Sequence, residues 1–464
     1  MNVTPSSSGS VPRVMKEGFP PGPPMRKGVV RSLRYYWNFL VDPIGFVQSR
    51  FDTYGDVYYA TNPDGGLFVL KHPDHLREVL TTRASSYGKQ HTAFAQLSRV
   101  LGDGLLISEG DTWKRHRRMV NPGFAPPRMR AYGDVMVDES RTTSRRWQDG
   151  ATLSIEKEMT ELTLRIVSRT LFGHDVSKED GAAISGAMNV FQRSLSSPDF
   201  LPAWVPSPQR SELARAIADI DRIVYRLIRE RREAKSPMTD GTDLLQLLVD
   251  AVDPEGSEKA RLTEREVRDQ LVTLFLAGHE TTSQALTWTF YCLSQAPAAE
   301  RALHEELDRV LQGRDPTYDD LERLPYTEQV ILEAMRLYPP VYGIARRAHE
   351  DTEVGGYRVP RGSEVMIWVY MTHRDPRFYP EPDTFQPERF EKERFAALPK
   401  HAYLPFGAGP RACIGKSFAI MEARLILATL AQRHRLALAQ KRVVAQPRIT
   451  LTPKNGIRMR VAVR

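Results

Sequence analysis

Phe406-Gly407-Ala408-Gly409-Pro410-Arg411-Ala412-Cys413-Ile414-Gly415 surrounds one of only two cysteines in a chain of 464 residues. Glycines on both sides let backbone come close to a flat ligand. An arginine stands two residues before the thiol and an aromatic seven before it. From Gly415 to about Arg433 the chain reads as a helix, with Phe418, Met421, Leu425 and Ala428 on one face. The start of that helix falls against Cys413, and helix N-termini lower thiol pKa.

An ionised sulfur in such a place is a metal ligand. A thiolate binds haem iron well and donates electron density that favours O–O cleavage. Backbone N–H groups at the helix start can donate to the sulfur and tune the iron, and Arg411 can pair with an acidic edge of the ligand. A buried, inert cysteine is the competing reading.

A second stretch lies in an unusually well marked helix. Thr263-Glu264-Arg265-Glu266 has the form of a capping box, with Leu262 and Val267 placed for a hydrophobic staple. Helix is expected from Glu264 to about Leu293, stopped before Pro297. Leu271 to Ala277 is almost wholly apolar, so the helix is expected to be buried on most sides. Its centre reads Ala277-Gly278-His279-Glu280-Thr281-Thr282. Gly and β-branched residues are poor interior helix formers. Thr281 can turn its hydroxyl onto the Ala277 carbonyl. Glu280 beside Thr281 sets an acid next to an alcohol, a pair able to pass protons. A glycine packing notch with a back-bonded threonine is the alternative. A zinc-protease reading of His279-Glu280 fails, because the required second histidine is Ser283.

Glu333 and Arg336 share a helix face, followed by Leu337-Tyr338-Pro339-Pro340. Equal spacings elsewhere in the chain make the pair weak evidence by itself. Arg389, in Pro387-Glu388-Arg389-Phe390, is a possible second partner, and a glutamate held by two arginines can be a buried anchor.

Taken together, these stretches resemble the cytochrome P-450 family of haem-thiolate monooxygenases, over nearly the whole chain. The resemblance implies a mainly α fold with a small β-sheet region, and haem b (iron protoporphyrin IX) between the long central helix and the Cys-ligand helix. It makes Cys413 the axial iron ligand. It gives Glu280 and Thr281 the direction of protons during dioxygen activation, and Glu333, Arg336 and Arg389 a structural role beneath the haem pocket. Trp113-Lys114-Arg115-His116-Arg117 resembles the family's Trp-x-x-x-Arg helix, so Trp113 and Arg117 would face a propionate, with His116 a competitor. Arg346 would reach the other propionate, with Arg347 open as its rival. Phe406, Gly407 and Ala277 would lie against the cofactor. A mostly apolar substrate cavity would be lined by Phe94, Leu97, Leu105, Leu106, Leu274, Phe275, Val341, Ile344 and Leu451. The 200–206 segment would be either a mobile lid or a packed loop.

Composition narrows the rest. Hydrophobic residues are 41%, enough for a large core, and 65 Lys and Arg against 57 Asp and Glu give a modest +8. Length alone suggests about three domains of about 150 residues. No linker supports that split, so a disordered tail over 1–18 and one domain over 19–464 are expected. Pro20 to Pro24 should be stiff and extended. Leu33, Tyr36, Trp37 and Leu40 fall at helical spacing, read first as core contact. Val57–Ala60 and Leu67–Leu70 read as strands joined through Asp64-Gly65-Gly66, and strand returns at Glu364–Val369 and near the C-terminus. Most of the chain between Pro73 and Tyr338 reads helical. Cys292 and Cys413 do not form a disulfide framework, which suits a reducing compartment. No signal-peptide core or membrane-length apolar run is present, so a cytoplasmic protein is expected. Nucleic acid is not indicated. No flavin or iron–sulfur segment follows the cysteine motif, so electrons would come from a separate ferredoxin or flavodoxin with its NAD(P)H reductase. Lys114, Arg115, Arg118 and Lys416 are candidates for the receiving face. A peroxide-driven peroxygenase and a non-catalytic haem sensor are the rivals; the retained Glu280-Thr281 pair speaks against both.

Overall fold

The computed structural model describes residues 18–23, 37–62, 65–89, 92–173, 178–196, 204–233, 243–253, 255 and 261–464. In chain order the main elements are α1 (Pro43–Tyr54), β1 (Val57–Asn62), β2 (Gly65–Leu70), β3 (Tyr87–Gly88), α2 (Thr92–Leu101), α3 (Gly110–Val120), α4 (Pro126–Ser144), β4 (Thr152–Ser154) and α5 (Ile155–Phe172). There follow α6 (Lys178–Ser196), α7 (Pro208–Glu233), α8 (Leu244–Asp250), α9 (Glu264–Gln295), α10 (Pro297–Leu311) and α11 (Pro325–Leu337). The last group is β5 (Ile344–Ala348), β6 (Thr352–Val354), β7 (Tyr357–Val359), β8 (Glu364–Ile367), α12 (Lys416–Ala431), β9 (His434–Leu438), β10 (Ala445–Pro447), β11 (Leu451–Pro453) and β12 (Arg458–Val463). The mainly helical expectation with a small sheet is met.

The chain forms two compact units. The smaller comprises Met1–His91, Gly343–Pro380 and Pro399–Ala412; the larger comprises Thr92–Tyr342, Glu381–Leu398 and Cys413–Arg464.

The smaller unit is built on a five-stranded sheet in the order β1-β2-β8-β5-β3, beside the hairpin β6-β7. β1 and β2 pair antiparallel from Val57↔Leu70 to Asn62↔Gly65, and β2 runs parallel to β8. Gly65 and Gly66, expected in the turn, are therefore strand residues. Gly66 faces the Tyr59 ring, which a Cβ would strike at 2.6 Å. β8 ends at Ile367, and Val369 already opens a short helix. One face of the sheet buries Phe68, Leu70, Leu76, Val365 and Ile367. Pro21 is extended, its carbonyl accepting from the Tyr59 N–H at 3.1 Å. Of the expected 1–18 tail, residues 1–17 lie outside the described residues, as do Pro24, Leu33, Tyr36 and Asp64, while the Gly18 carbonyl accepts from the Arg358 N–H at 2.9 Å. Trp37 and Leu40 are helical but 67% and 72% exposed. Core contact does not hold for them, because nothing apolar covers that face among the described residues.

The larger unit is organised by α9. Its start carries the capping box in full: Thr263 Oγ1 accepts from the Glu266 N–H at 3.2 Å, and Glu266 Oε2 accepts from the Thr263 N–H at 2.8 Å. Leu262 and Val267 are both buried, as the staple requires. The helix runs to Gln295, one residue short of Ala296 and Pro297. α5 lies along it, and α7, α11 and α12 also pack on it. Leu171, Phe191, Ile220, Leu245, Leu271 and Phe275 belong to the resulting core. The C-terminal strands form β4-β12-β9 and the pair β10-β11. Among the described residues no helix is long and apolar enough to cross a membrane.

Several polar groups on α9 are matched inside this unit, although Gln270 Nε2, Thr273 Oγ1 and Gln284 Oε1 are buried without a partner among the described residues. Asp269 Oδ2 accepts from the Asp103 N–H and Gln270 Oε1 from the Leu105 N–H, each at 2.9 Å. Arg268 joins Asp221 of α7, at 2.7 Å, to the Val100 carbonyl. Further along, Tyr338 stacks on Trp288 at 4.1 Å, and Trp288 Nε1 donates to the Leu451 carbonyl at 2.8 Å.

The capping box predicts that Thr263→Ala loses about 1 kcal/mol of stability. Urea unfolding of wild type and variant measures it; an unchanged midpoint would show that tertiary contacts alone hold the start of α9.

Candidate active site

Within the larger unit the centre of α9 breaks the helix's otherwise continuous burial. Leu274, Ala277, Gly278 and Thr281 retain exposure, while their neighbours on the other faces are buried. Their spacing of three, four and seven residues places them on one stripe. Thr281 Oγ1 donates to the Ala277 carbonyl at 2.7 Å, four residues back. An added Cβ on Gly278 would meet only Val167 of α5, at 3.4 Å, so a methyl group would be in ordinary contact there.

Phe275, also read as a cavity residue, is placed by the structure on a buried face of the helix. One residue on from Leu274, about 100° around the helix, it is 1% exposed and packs on Phe172 and His279. His279 is buried and contacts the Phe275 carbonyl at 3.1 Å; burial lowers its pKa and favours the neutral ring. Leu97, Leu106 and Leu274 are partly buried against the main core, and Leu105 is buried within it. Leu451 is fully buried and Val341 is 39% exposed. The side chain of Phe94 lies outside the described residues.

Glu280 faces away from the stripe. It is 9% exposed, and its Oε1 accepts from Thr450 Oγ1 at 2.8 Å. The acid and the alcohol are adjacent in sequence but occupy different sides of the helix.

The thiol region has the expected form. Cys413 is exposed, and Gly415 is the N-cap of α12. A Cβ on Gly415 would lie 3.8 Å from the Phe124 ring and 4.0 Å from Cys413 Sγ. Having no side chain, Gly415 leaves the first-turn N–H groups of α12 for another acceptor. Phe124, which sequence reasoning missed, packs with Tyr132 around Phe418 on this helix. An accessible thiol at a helix start, a bare glycine beside it and a flat stripe on the neighbouring α9 fit a planar iron macrocycle held by sulfur.

On α3, Arg117 lies over the Trp113 ring at 5.8 Å. His116 is 1% exposed, and its Nε2 is 3.3 Å from Glu266 Oε1. That contact commits His116 to the base of α9 and leaves Arg117 the better candidate of the two. Arg115 also binds Glu266, at 2.5 Å, and Arg118 binds Asp253, at 3.2 Å, while Lys114 pairs with Asp111, at 2.9 Å. Three of the four cations offered as a receiving face are thus engaged by acids of their own chain. Lys416 is exposed.

In the smaller unit, Arg346 and Arg347 of β5 point to opposite faces of the strand. Arg347 Nε donates to the Gly362 carbonyl at 3.1 Å; Arg346 Nη1 donates to the Ala345 carbonyl at 2.8 Å, and Arg346 is 9% exposed. The Leu404 N–H donates to His373 Nε2 at 2.8 Å and anchors the start of the Phe406 loop. Gly409 has φ +69°, and a Cβ there would collide with the Leu80 carbonyl oxygen at 1.8 Å, so no other residue fits. Phe406 and Gly407 follow in the same loop, and Arg411 is partly exposed.

The Glu333 anchor is present in the larger unit. Arg336 holds its carboxylate by two bonds, of 2.7 and 2.8 Å, and Arg389 Nε stands 3.4 Å away. Glu333 and Arg336 are both 0% exposed. Arg336 also donates to the Pro382 carbonyl at 2.7 Å, and the Gln386 N–H donates to Glu333 at 2.9 Å. A further buried acid was missed: Glu422 on α12 is 1% exposed, and neither oxygen has a well-formed partner. Burial, only partly offset by the Thr282 hydroxyl, pushes its carboxyl up to about 8.

Two outcomes follow from these buried groups. Arg336→Ala leaves Glu333 desolvated and should cost about 3–5 kcal/mol, read by denaturant unfolding. Glu422 binds its proton more tightly folded than unfolded. Its cost is absent below the ordinary glutamate range and grows as pH rises toward 8. Glu422→Gln should therefore flatten the decline of stability over that interval; an unchanged slope would contradict the assignment.

The comparisons agree with this geometry. A Cytochrome P450 family model matches residues 36–459. The chain is 35% identical over 415 residues to cyclooctatin synthase of Streptomyces melanosporofaciens, covering 88% of this chain and 89% of that protein. It is 34% identical over 444 residues to cyclooctat-9-en-7-ol 5-monooxygenase of the same organism, covering 94% and 93%. It is 31% identical over 429 residues to pentalenene oxygenase of Streptomyces avermitilis, covering 92% of each. The crystal structure of the cytochrome P450DA heme domain matches with a TM-score of 0.82 at 27% identity, covering 96% of this chain and 98% of that one. A thiol at a helix start, a flattened central helix and a family match across nearly the whole length lead to one conclusion: this chain belongs to the cytochrome P450 family and is a haem-dependent monooxygenase.

Proposed function

We propose that the protein inserts one oxygen atom of O2 into an apolar cyclic terpenoid, by hydroxylation or epoxidation. The observation that carries this is the flat stripe of Leu274, Ala277, Gly278 and Thr281, continued in apolar character by Leu97 and Leu106. No charged side chain stands on it. The relatives named for cyclooctat-9-en-7-ol and pentalenene support a cyclic hydrocarbon skeleton over a charged substrate.

When bound, haem supplies the dioxygen chemistry, with thiolate donation favouring O–O cleavage. Cys413 is the proposed ligand, with α12's first-turn N–H groups moderating the charge on sulfur. Trp113 and Arg117 are proposed to hold one propionate. Arg346, Arg411, Phe406 and Gly407 are proposed as haem contacts on the resemblance alone. Thr281 holds a proton at Oγ1 on the open stripe. Glu280, buried and bonded to Thr450, is the acid that replenishes it. Electrons are proposed to come from a separate ferredoxin or flavodoxin with its reductase.

The test titrates the purified holoenzyme with pentalenene, cyclooctat-9-en-7-ol and a long-chain fatty acid, following the haem absorption band. The cyclic compounds should shift it and yield oxygenated products; a response to the fatty acid alone would overturn the substrate class. Thr281→Ala should keep the band shift but lower product per NAD(P)H by about tenfold or more. Full retention of yield would remove Thr281 from proton handling.

A further inference from the structure

Gln270 of α9 lies seven residues before Ala277 and eleven before Thr281, close to whole numbers of helical turns. It therefore shares the line of the open stripe and closes its N-terminal end, one turn before Leu274. Thr273 stands beside it, three residues on. Both side chains meet the same short segment. The Leu105 N–H donates to Gln270 Oε1 at 2.9 Å. A Cβ on the preceding Gly104 would come within 2.1 Å of Thr273 Oγ1 and 2.6 Å of the Asp269 carbonyl oxygen. Glycine alone leaves the Thr273 hydroxyl unblocked from that side.

These two side chains are incompletely used. The Leu105 N–H needs an oxygen, which settles the orientation of the Gln270 amide and turns its N–H donors elsewhere. Gln270 Nε2 has no partner among the described residues, and neither has Thr273 Oγ1. Other hydroxyls of α9 behave differently: Thr281, Ser283, Thr287 and Thr289 each donate to a carbonyl of their own helix, at 2.7–2.8 Å. Gln270 is 0% and Thr273 4% exposed, so bulk water does not serve them. Folding has already stripped both groups of water, and a hydrogen-bonding partner brought to them meets no desolvation cost on the protein side. The chemistry of that partner is constrained. An amide N–H beside a threonine oxygen offers one donor and one acceptor, and an alcohol is the neutral group that uses both. A charged group would find no counterion, because Arg268 and Asp269 pair with each other at 2.9 Å and are further held by Asp221 and the Asp103 N–H.

We propose that Gln270 and Thr273 form a hydroxyl-recognition point at the N-terminal end of the stripe, so that the substrate is a cyclic terpenoid already carrying an alcohol. The alcohol oxygen accepts from Gln270 Nε2, and its O–H donates to Thr273 Oγ1. It is reached from the side of Leu274 and Leu106, whose partial exposure marks the open edge. The hydroxyl is not consumed; it fixes which end of an otherwise featureless hydrocarbon lies toward Leu274 and which toward Thr281. A step that adds oxygen to the cyclic hydrocarbon must then precede this enzyme. The inference rests on the terpenoid reading of the stripe and deepens it.

The test follows the haem absorption band of the holoenzyme with pairs of cyclic terpenoids, each an alcohol and the hydrocarbon lacking only its hydroxyl, cyclooctat-9-en-7-ol and its deoxy counterpart among them. Wild type should bind at least one alcohol about tenfold more tightly than its hydrocarbon. Thr273→Val, close in shape but without the hydroxyl, should cut that ratio about threefold to tenfold. Thr273→Ser should restore it, and Gln270→Met should cut it independently. Urea unfolding supplies a readout that needs no ligand. Thr273→Val removes a buried hydroxyl without a protein partner and should not lower the midpoint; a lowered midpoint would reveal a structural bond and overturn the assignment. An unchanged ratio in Thr273→Val would mean that internal water serves the pair, and the recognition point would fall. Equal binding of every alcohol and its hydrocarbon by wild type would overturn the inference and leave the terpenoid reading intact. A band shift with the long-chain fatty acid alone would remove that reading and this inference together.

Discussion

A helix of 32 residues buried along almost its whole length constrains everything packed on it. Each polar group it carries needs a partner inside the protein, because an unmatched buried donor or acceptor costs about 1–3 kcal/mol. α9 meets much of that demand by reaching outward. Asp269 and Gln270 take backbone N–H groups of the 103–105 segment, Arg268 ties in α7, Trp288 holds the Leu451 carbonyl and Glu280 holds Thr450. The same bonds that satisfy the helix fix the segments that would shape a cavity. Pocket geometry and core stability are one network here, so a change at Gln270 or Trp288 would be felt in both.

Against that background the open stripe is the exception. Gly278 lies against Val167 of α5, and Thr281 turns its hydroxyl back onto the helix instead of outward to a neighbour. Both choices weaken the helix slightly. The weakening is tolerable because α5, α11 and α12 hold α9 from other sides. The acid lies one residue away but points elsewhere. That separation leaves Thr281 on the open, apolar side of the helix while Glu280 is held on the other by Thr450.

The buried ions divide by purpose. Glu333 is compensated by two arginines and by the Gln386 N–H, and its cluster ties α11 to the 382–389 segment. Glu422 has no such compensation and keeps its proton instead. Both are carboxyls in the core of the larger unit, and they differ in the local supply of donors. Glu266 is the charged case at the core's edge. Burial opposes its ionisation, but the Thr263 N–H, Arg115 and His116 outweigh that and hold it at about 2.

Much of this was legible in the residues themselves. The capping box, the apolar run of Leu271–Ala277, the back-bonding threonine and the glycine-flanked thiol are local patterns. Their physics is decided within a few positions of the chain, so α9 and α12 fall close to where periodicity placed them. Other features were not legible, because they depend on partners far away along the chain. Which of His116 and Arg117 is spoken for depends on Glu266. The fate of Phe275 follows from where α5 happens to lie. Exposed Trp37 and Leu40 show the same limit, since helical spacing cannot say whether anything covers the apolar face. Glu422 gave no local sign at all: a single glutamate becomes a titrating group only through what surrounds it. Sequence alone determined the kind of chemistry, because thiol, glycine and acid–alcohol patterns are local. Tertiary structure decided which side chains are desolvated, paired or left open, because burial and charge are properties of neighbours in space.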